Sequence, residues 1–344
     1  MKLVKTIEAI GYVLCHDITR IVPGKTKGPA FRKGHIIKEE DIDTLLGMGK
    51  EHIYVWEDLP GMIHENDAAG ILCDICQGAN VERSEVKEGK IEFSASIEGL
   101  FKVKRELLNR INSVGQIVIA ARHGNFPVKS GDILAGARVI PLLIEEMTMQ
   151  EAKELSGGHP ILNVLPFKQK KAGLIITGSE IFHGMISDAF TPVLESKLAE
   201  YDVLIAIRDV LGDDDEKISD ACVKMINRGI DVVICAGGMS VDPDDRTPLA
   251  IKNTEANVVS YGVPVLPGSM FMLAYYDGPF GEVPIVGLPG CVIYNRRSIF
   301  DLVLPRIMAD DRVSREDLVL LGNGGLCLNC VECVFPRCGF GKGN

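Results

Sequence analysis

A single tryptophan and an aromatic content of 6% leave this chain little with which to stack on bases. Its 37 Lys and Arg are outnumbered by 47 Asp and Glu. The formal net charge of −10 repels nucleic acid and anionic membranes, and no basic stripe interleaved with aromatics offsets it. No apolar run approaches the ~20 residues that span a bilayer, and the opening "MKLVKTIEAI" has no apolar core of a leader peptide. These absences predict a cytoplasmic protein that partners neither nucleic acid nor membrane. The seven histidines are scattered, and no Ser/His/Asp or Cys/His order stands out.

What is present suits a globular chain. At 344 residues, 46% of them hydrophobic, two or three domains with real cores are expected. The predicted organisation is an α+β region over 1–165, with two subdomains split near 60, then an α/β domain over 166–312 and a Cys-rich tail over 313–344. In the first region, Glu39–Asp41 open a helix, because acidic side chains favour its positive end. "VPGKTKGPAFRKG" before it reads as a loop. Cys73 and Cys76 would share a helix face with Ala69 and Leu72, which points to core packing, while His64, Glu65 and Asp67 offer ligand-type side chains but read better as an exposed helix start. Residues 156–169 read as a linker.

From Lys171 the pattern becomes regular. "AGLIITG", "DVLIAIRDV" and "DVVICAGG" are apolar strand signals separated by helical stretches, and "VPIVGLPG" follows later. Such alternation predicts a doubly wound, mostly parallel sheet whose core ends near Met308, with ligands at the carboxyl ends of its strands. Those ends carry unusual residues: Thr177-Gly178-Ser179-Glu180, then Arg208-Asp209, then Gly237-Gly238-Met239-Ser240 and an acidic loop, then Leu288-Pro289-Gly290. Glycines there let a backbone approach a ligand closely, and strand-to-helix turns offer N–H groups to an oxyanion. The aspartates suit a divalent cation between anions. Asp213–Asp215 read as helix-start acids facing solvent.

Residues 171–310 resemble the molybdopterin-binding domain of molybdenum-cofactor biosynthesis proteins, both molybdopterin molybdenumtransferases of the gephyrin E-domain type and molybdopterin adenylyltransferases. Thr177-Gly178-Ser179-Glu180 is similar to the family's Thr-Gly-Asp/Ser-Glu, Gly237-Gly238-Met239-Ser240 to its Gly-Gly-Val-Ser, and Gly287-Leu288-Pro289-Gly290 to its Gly-Leu-Pro-Gly. Asp245, before Arg246-Thr247-Pro248, sits like the acid that precedes Thr-Pro in the adenylyltransferases, and Asp188 and Asp209 fall where transferases keep acids. "EAIGYVLCHDI" and "FRKGHIIKEEDIDTLLGMGKEHIYV" also resemble transferase stretches. Other positions depart. Leu266-Pro267-Gly268 stands where transferases have Lys-Pro-Gly, Cys291 where they have Asn, and Ala189-Phe190 follows Asp188 where they have a residue and Asn. "GKTKGPAFRKG" replaces their Ser-Ala-Met-Asp-Gly-Tyr-Ala segment.

The resemblance implies molybdopterin as ligand or substrate, held by the three strand-end loops and Pro267-Gly268. It implies Mg2+ on Asp245, Asp188 and Asp209, molybdate transfer to adenylylated molybdopterin, and a homodimer. The missing Lys, the missing Asn and the altered N-terminal segment favour a non-catalytic carrier that delivers the finished cofactor to a client molybdoenzyme, whereas the retained acids favour the enzyme. A redox or metal sensor that reuses the fold is a third reading. Apart from this, the tail "CLNCVECVFPRCGFGKG" sets Cys327, Cys330 and Cys333 two residues apart, with Cys338 four further on. That spacing predicts one metal centre, an iron–sulfur cluster or Zn2+.

Overall fold

The computed structural model describes residues 1–22, 26–57 and 59–343, so residues 23–25 of the expected loop lie outside it. The chain forms two compact units. The first comprises Met1–Ile97, Lys102–Arg122 and Lys129–Val164, and the second Glu98–Phe101, His123–Val128 and everything from Leu165.

The first unit is α+β. Lys2–Lys5 pairs antiparallel with His52–Val55, and a helix at Glu39–Gly47 closes Leu14, Ile37, Leu45 and Val55 into a small core. The stretch expected as a loop instead holds a strand, Thr26–Phe31, which pairs antiparallel with Ile18–Val22. A four-stranded antiparallel sheet follows in the order Val81–Arg83, Lys90–Ala95, Ile133–Val139, Ile117–Ala121. Ile91, Phe93 and Ala95 alternate inward along its second strand, the period-two pattern of a half-buried sheet. The expected linker contains a strand too, Leu162–Pro166.

The helix Glu65–Cys76 corrects a second expectation. Its start is buried at His64 and Glu65, which each keep 4% of their surface, while Asp67 is exposed as expected. His64 Nδ1 accepts from Asn66 N at 3.1 Å, capping the helix, and Nε2–H donates to the Cys15 carbonyl at 2.7 Å. Burial lowers the His64 pKa and raises that of Glu65. Cys73 and Cys76 pack in the core as their spacing suggests, and burial pushes the Cys76 thiol up to about 12.

The second unit is built on a six-stranded sheet: β1 (Lys171–Thr177), β2 (Leu204–Leu211), β3 (Val232–Ala236), β4 (Asn257–Tyr261), β5 (Met272–Gly278) and β6 (Gly281–Leu288). The order is β2-β1-β3-β6-β5-β4, with the first four strands parallel and the last two antiparallel. β1 and β3 are buried along nearly their whole length because both faces are covered, as parallel strands require. Leu174 and Ile176 face one side with α1 (Phe190–Ala199) and α4 (Ile299–Met308). Ile175 faces the other with α2 (Asp215–Asn227) and α3 (Thr247–Asn253). The architecture is therefore α/β, doubly wound and mostly parallel. A buried ion pair joins α1 to α4: Lys197 Nζ donates to both Asp301 carboxylate oxygens at 2.7 and 2.8 Å, and Arg297 joins at 2.8 Å.

Candidate binding site at the strand ends

β1 and β3 lie side by side, so their terminal loops meet. Thr177, the last residue of β1, is buried and its Oγ1 lies 2.9 Å from Thr247 Oγ1 at the start of α3. Gly237 and Gly238 pass against these hydroxyls with φ of 106° and 55°, both positive. A Cβ at Gly237 would overlap the Thr177 carbonyl oxygen, and one at Gly238 would come within 2.8 Å of Thr247 Oγ1. Glycine is required at both by close packing as well as by φ.

Asp213 completes this node. Its Oδ2 accepts from Ser179 N at 2.8 Å and from Ser179 Oγ at 2.7 Å, fixing the loop after β1 to the loop after β2. The sequence suggested a solvent-facing acid, and the tertiary structure makes it a clamp. Of its neighbours, Asp214 caps α2 by accepting from Lys217 N, and Asp215 pairs with Arg246 at 3.2 Å. Thr247 was also missed in the sequence as a site residue. Its signal was there: a Thr before Pro248 at a helix start.

Asp245 lies on the same side. Burial, followed by the nearby charges of Asp242 and Asp213, raises its pKa against an opposing hydrogen bond from the Ser240 backbone. The Tyr261 hydroxyl donates to the Met239 carbonyl at 3.0 Å, which pins this loop to β4. Ser240 is exposed, whereas Met239 is core: its sulfur packs where a Cβ on Gly287 would sit.

Other residues singled out in the sequence lie elsewhere or are already engaged. Asp188 accepts from Phe190 N at 2.8 Å, Thr191 N at 3.1 Å and the Thr191 hydroxyl, and Arg208 Nη2 donates to it at 2.7 Å. Burial pushes its pKa up, but these hydrogen bonds and Arg208 outweigh burial and hold it below the usual carboxylate range. Asp209 is exposed on the edge strand β2, opposite Ile175 of β1. Among the described residues no group of three or more His, Cys, Asp or Glu is arranged to hold a metal ion. Asp245, Asp188 and Asp209 are thus not gathered into a ready-made Mg2+ site.

Several backbone donors are engaged as well: Gly178 N–H donates to the Leu211 carbonyl and Gly237 N–H to the Leu288 carbonyl. Glu180 and Gly290 are exposed, and Pro289 is half-buried. Gly268 packs against Ile299 and Pro267 accepts from Ile299 N, so this pair seats α4.

Asp188 yields a pH-dependent prediction. A depressed folded pKa adds stability that is present above the ordinary carboxylate pKa of about 3.9 and lost as pH falls through the folded value. Asp188→Asn keeps an acceptor for the helix start and removes the charge that faces Arg208, so it should cost about 0.5 kcal/mol at pH 7. Urea titrations should show that gap closing once the pH is below the folded pKa. A gap that persists there would assign the loss to packing.

The fold and these loops define a class: a doubly wound α/β domain with glycine-bearing loops at the carboxyl ends of its parallel strands, where such folds commonly bind ligands. The family follows from comparison. Residues 173–309 match the model described as "Probable molybdopterin binding domain", and this part of the chain belongs to that family of molybdenum-cofactor biosynthesis domains. Residues 3–57 match a domain of unknown function. The chain is 24% identical over 302 residues to a molybdopterin molybdenumtransferase from Staphylococcus epidermidis, covering 82% of this chain and 65% of that relative. It is 30% identical over 77 residues to a CinA-like protein of Mycobacterium avium, covering 22% of this chain and 18% of that one. Among solved structures, the tungsten cofactor synthesizing protein MoaB from Pyrococcus furiosus aligns with a TM-score of 0.35 at 19% identity, over 42% of this chain and 99% of that one. No helix among the described residues is long and apolar enough to cross a membrane.

Proposed function

We propose that the second unit binds molybdopterin at the ends of β1, β3 and β6 and acts in molybdenum cofactor biosynthesis. The observation that carries this reading is the node of Thr177, Gly238, Thr247 and Asp213, which shapes loops that resemble the family motifs and lie within the matched residues 173–309. Exposed apolar side chains that follow β1, β3 and β6 (Phe182, Val241 and Tyr294) offer apolar surface to a pterin, and the two aromatic rings are flat. The exposed Ser240 hydroxyl would meet its polar edge.

In the transferase form of this reading, molybdate is transferred to adenylylated molybdopterin with Mg2+. Magnesium is commonly held by one or two carboxylates plus substrate phosphates, so a preassembled protein cage is not required. Asp245 and Asp242 repel each other, which a cation between them and a phosphoanhydride would relieve. Incubation with adenylylated molybdopterin, Mg2+ and molybdate should release AMP. Asp245→Asn should lower that release by about 100-fold or more while leaving pterin affinity nearly unchanged, since the cation acts on the transition state.

One observation favours a second reading. Asp188 is already consumed by Arg208 and by its helix cap, which leaves the acidic set incomplete. A non-catalytic carrier that hands molybdenum cofactor to a client molybdoenzyme needs no such set. Wild-type protein that binds molybdopterin tightly yet releases no AMP with any divalent metal would establish the carrier. A homodimer accompanies either form, and sedimentation velocity tests it.

A further inference from the structure

The tail is anchored at both ends and irregular between them. At its start Leu266 N–H donates to the Gly325 carbonyl and Cys327 N–H to the Leu266 carbonyl, both at 2.8 Å. At its end Phe340 is buried in the core and Gly341 presses on Leu302 so closely that a Cβ would overlap that side chain. Residues 328–338 between these anchors form neither helix nor strand. This stretch nevertheless turns so that Cys327, Cys330, Cys333 and Cys338 all line one cavity of about 230 Å³. None of the four is in a disulfide.

The size of that cavity matters. A zinc ion draws four sulfurs to ~2.3 Å from a single point, which leaves no internal void. Here the four cysteines line a space they share with Leu, Val, Phe and Gly residues, and they are not drawn together to hold one ion. A cubane of iron and sulfide keeps its four thiolates further apart and fills the volume between them. Such a cluster with four thiolates carries net negative charge, and Arg296 lines the same cavity, whereas Arg297 beside it is already paired with Glu200 and Asp301. Arg296 Nη1 also donates to the Val331 carbonyl at 2.9 Å, holding the loop around it. We infer that this cavity is the seat of a [4Fe–4S] cluster ligated by Cys327, Cys330, Cys333 and Cys338.

The inference does not depend on the strand-end site. Cys330 and Cys333 are exposed while Cys327 and Cys338 are half-buried against the core, so oxygen would reach the cluster from one side. The test uses the full chain, purified anaerobically and reconstituted with equal amounts of ferrous and ferric iron and with sulfide. About four irons and four acid-labile sulfides per chain are expected, with a broad visible absorption that dithionite bleaches. Cys330→Ser/Cys333→Ser should lose nearly all iron and colour with an unchanged circular dichroism spectrum, whereas Cys291→Ser should keep both. One zinc per chain without sulfide, two irons per chain, or four freely titrating thiols with no metal would each overturn the assignment.

Discussion

Phe340→Ala is expected to destabilise the second unit by about 3–5 kcal/mol, the usual cost of emptying a buried phenylalanine site. The side chain is 4% exposed and belongs to the same cluster as β1, α1 and α4. Its ring also faces Phe335 at 6.1 Å, and Phe335 faces Phe126 at 5.8 Å, which extends the core through the tail. Deleting everything from Leu326 onward should cost at least as much. The sequence suggested a sheet core ending near Met308 with the tail as an appendage. The packing of Phe340 and Gly341 corrects that. Urea unfolding followed by circular dichroism measures the effect, and a loss below about 1 kcal/mol would make the tail dispensable for folding.

The second large effect is at Gly238. Gly238→Val places a branched side chain at a φ of 55°, within 2.8 Å of Thr247 Oγ1 and 3.2 Å of Thr177 Oγ1. The backbone strain alone is worth about 1–3 kcal/mol. Because Thr177 and Thr247 must separate, the loops after β1 and β3 shift together, and molybdopterin affinity should fall at least about tenfold, or 1.4 kcal/mol. Thr247→Val keeps the volume and removes only the hydroxyl, so it should weaken binding less and hardly change φ at Gly238. Fluorescence titration reads affinity, with unfolding curves as the control for stability. A folded Gly238→Val protein with unchanged affinity would take this loop out of the site.

Sequence by itself determined the parallel strands and the loops that follow them. Apolar runs such as "AGLIITG" and "DVVICAGG" read directly as buried strands because covering both faces of a parallel sheet removes alternation. The glycines at 237 and 238 were also legible, since few other residues take that backbone path. The antiparallel strands β4 and β5 carry no comparable signal: Ser260 and Tyr261 sit beside turn residues, and the pairing is defined by partners far along the chain.

Tertiary structure decided what each charged or polar residue does. Asp213 and Asp215 looked alike in a run of acids, yet one clamps Ser179 and the other pairs with Arg246, contacts 34 and 31 residues away by their numbering. Asp188 looked free for a cation until Arg208 arrived on the adjacent strand. His64 looked exposed until the Cys15 carbonyl met it from 49 residues upstream. The cysteine spacing suggested a ligand set, but only the folded loop brings all four cysteines to one cavity. Strand and turn propensities act over a few neighbours and are written locally. Burial, ion pairing and cavity size are set by residues that sequence keeps far apart.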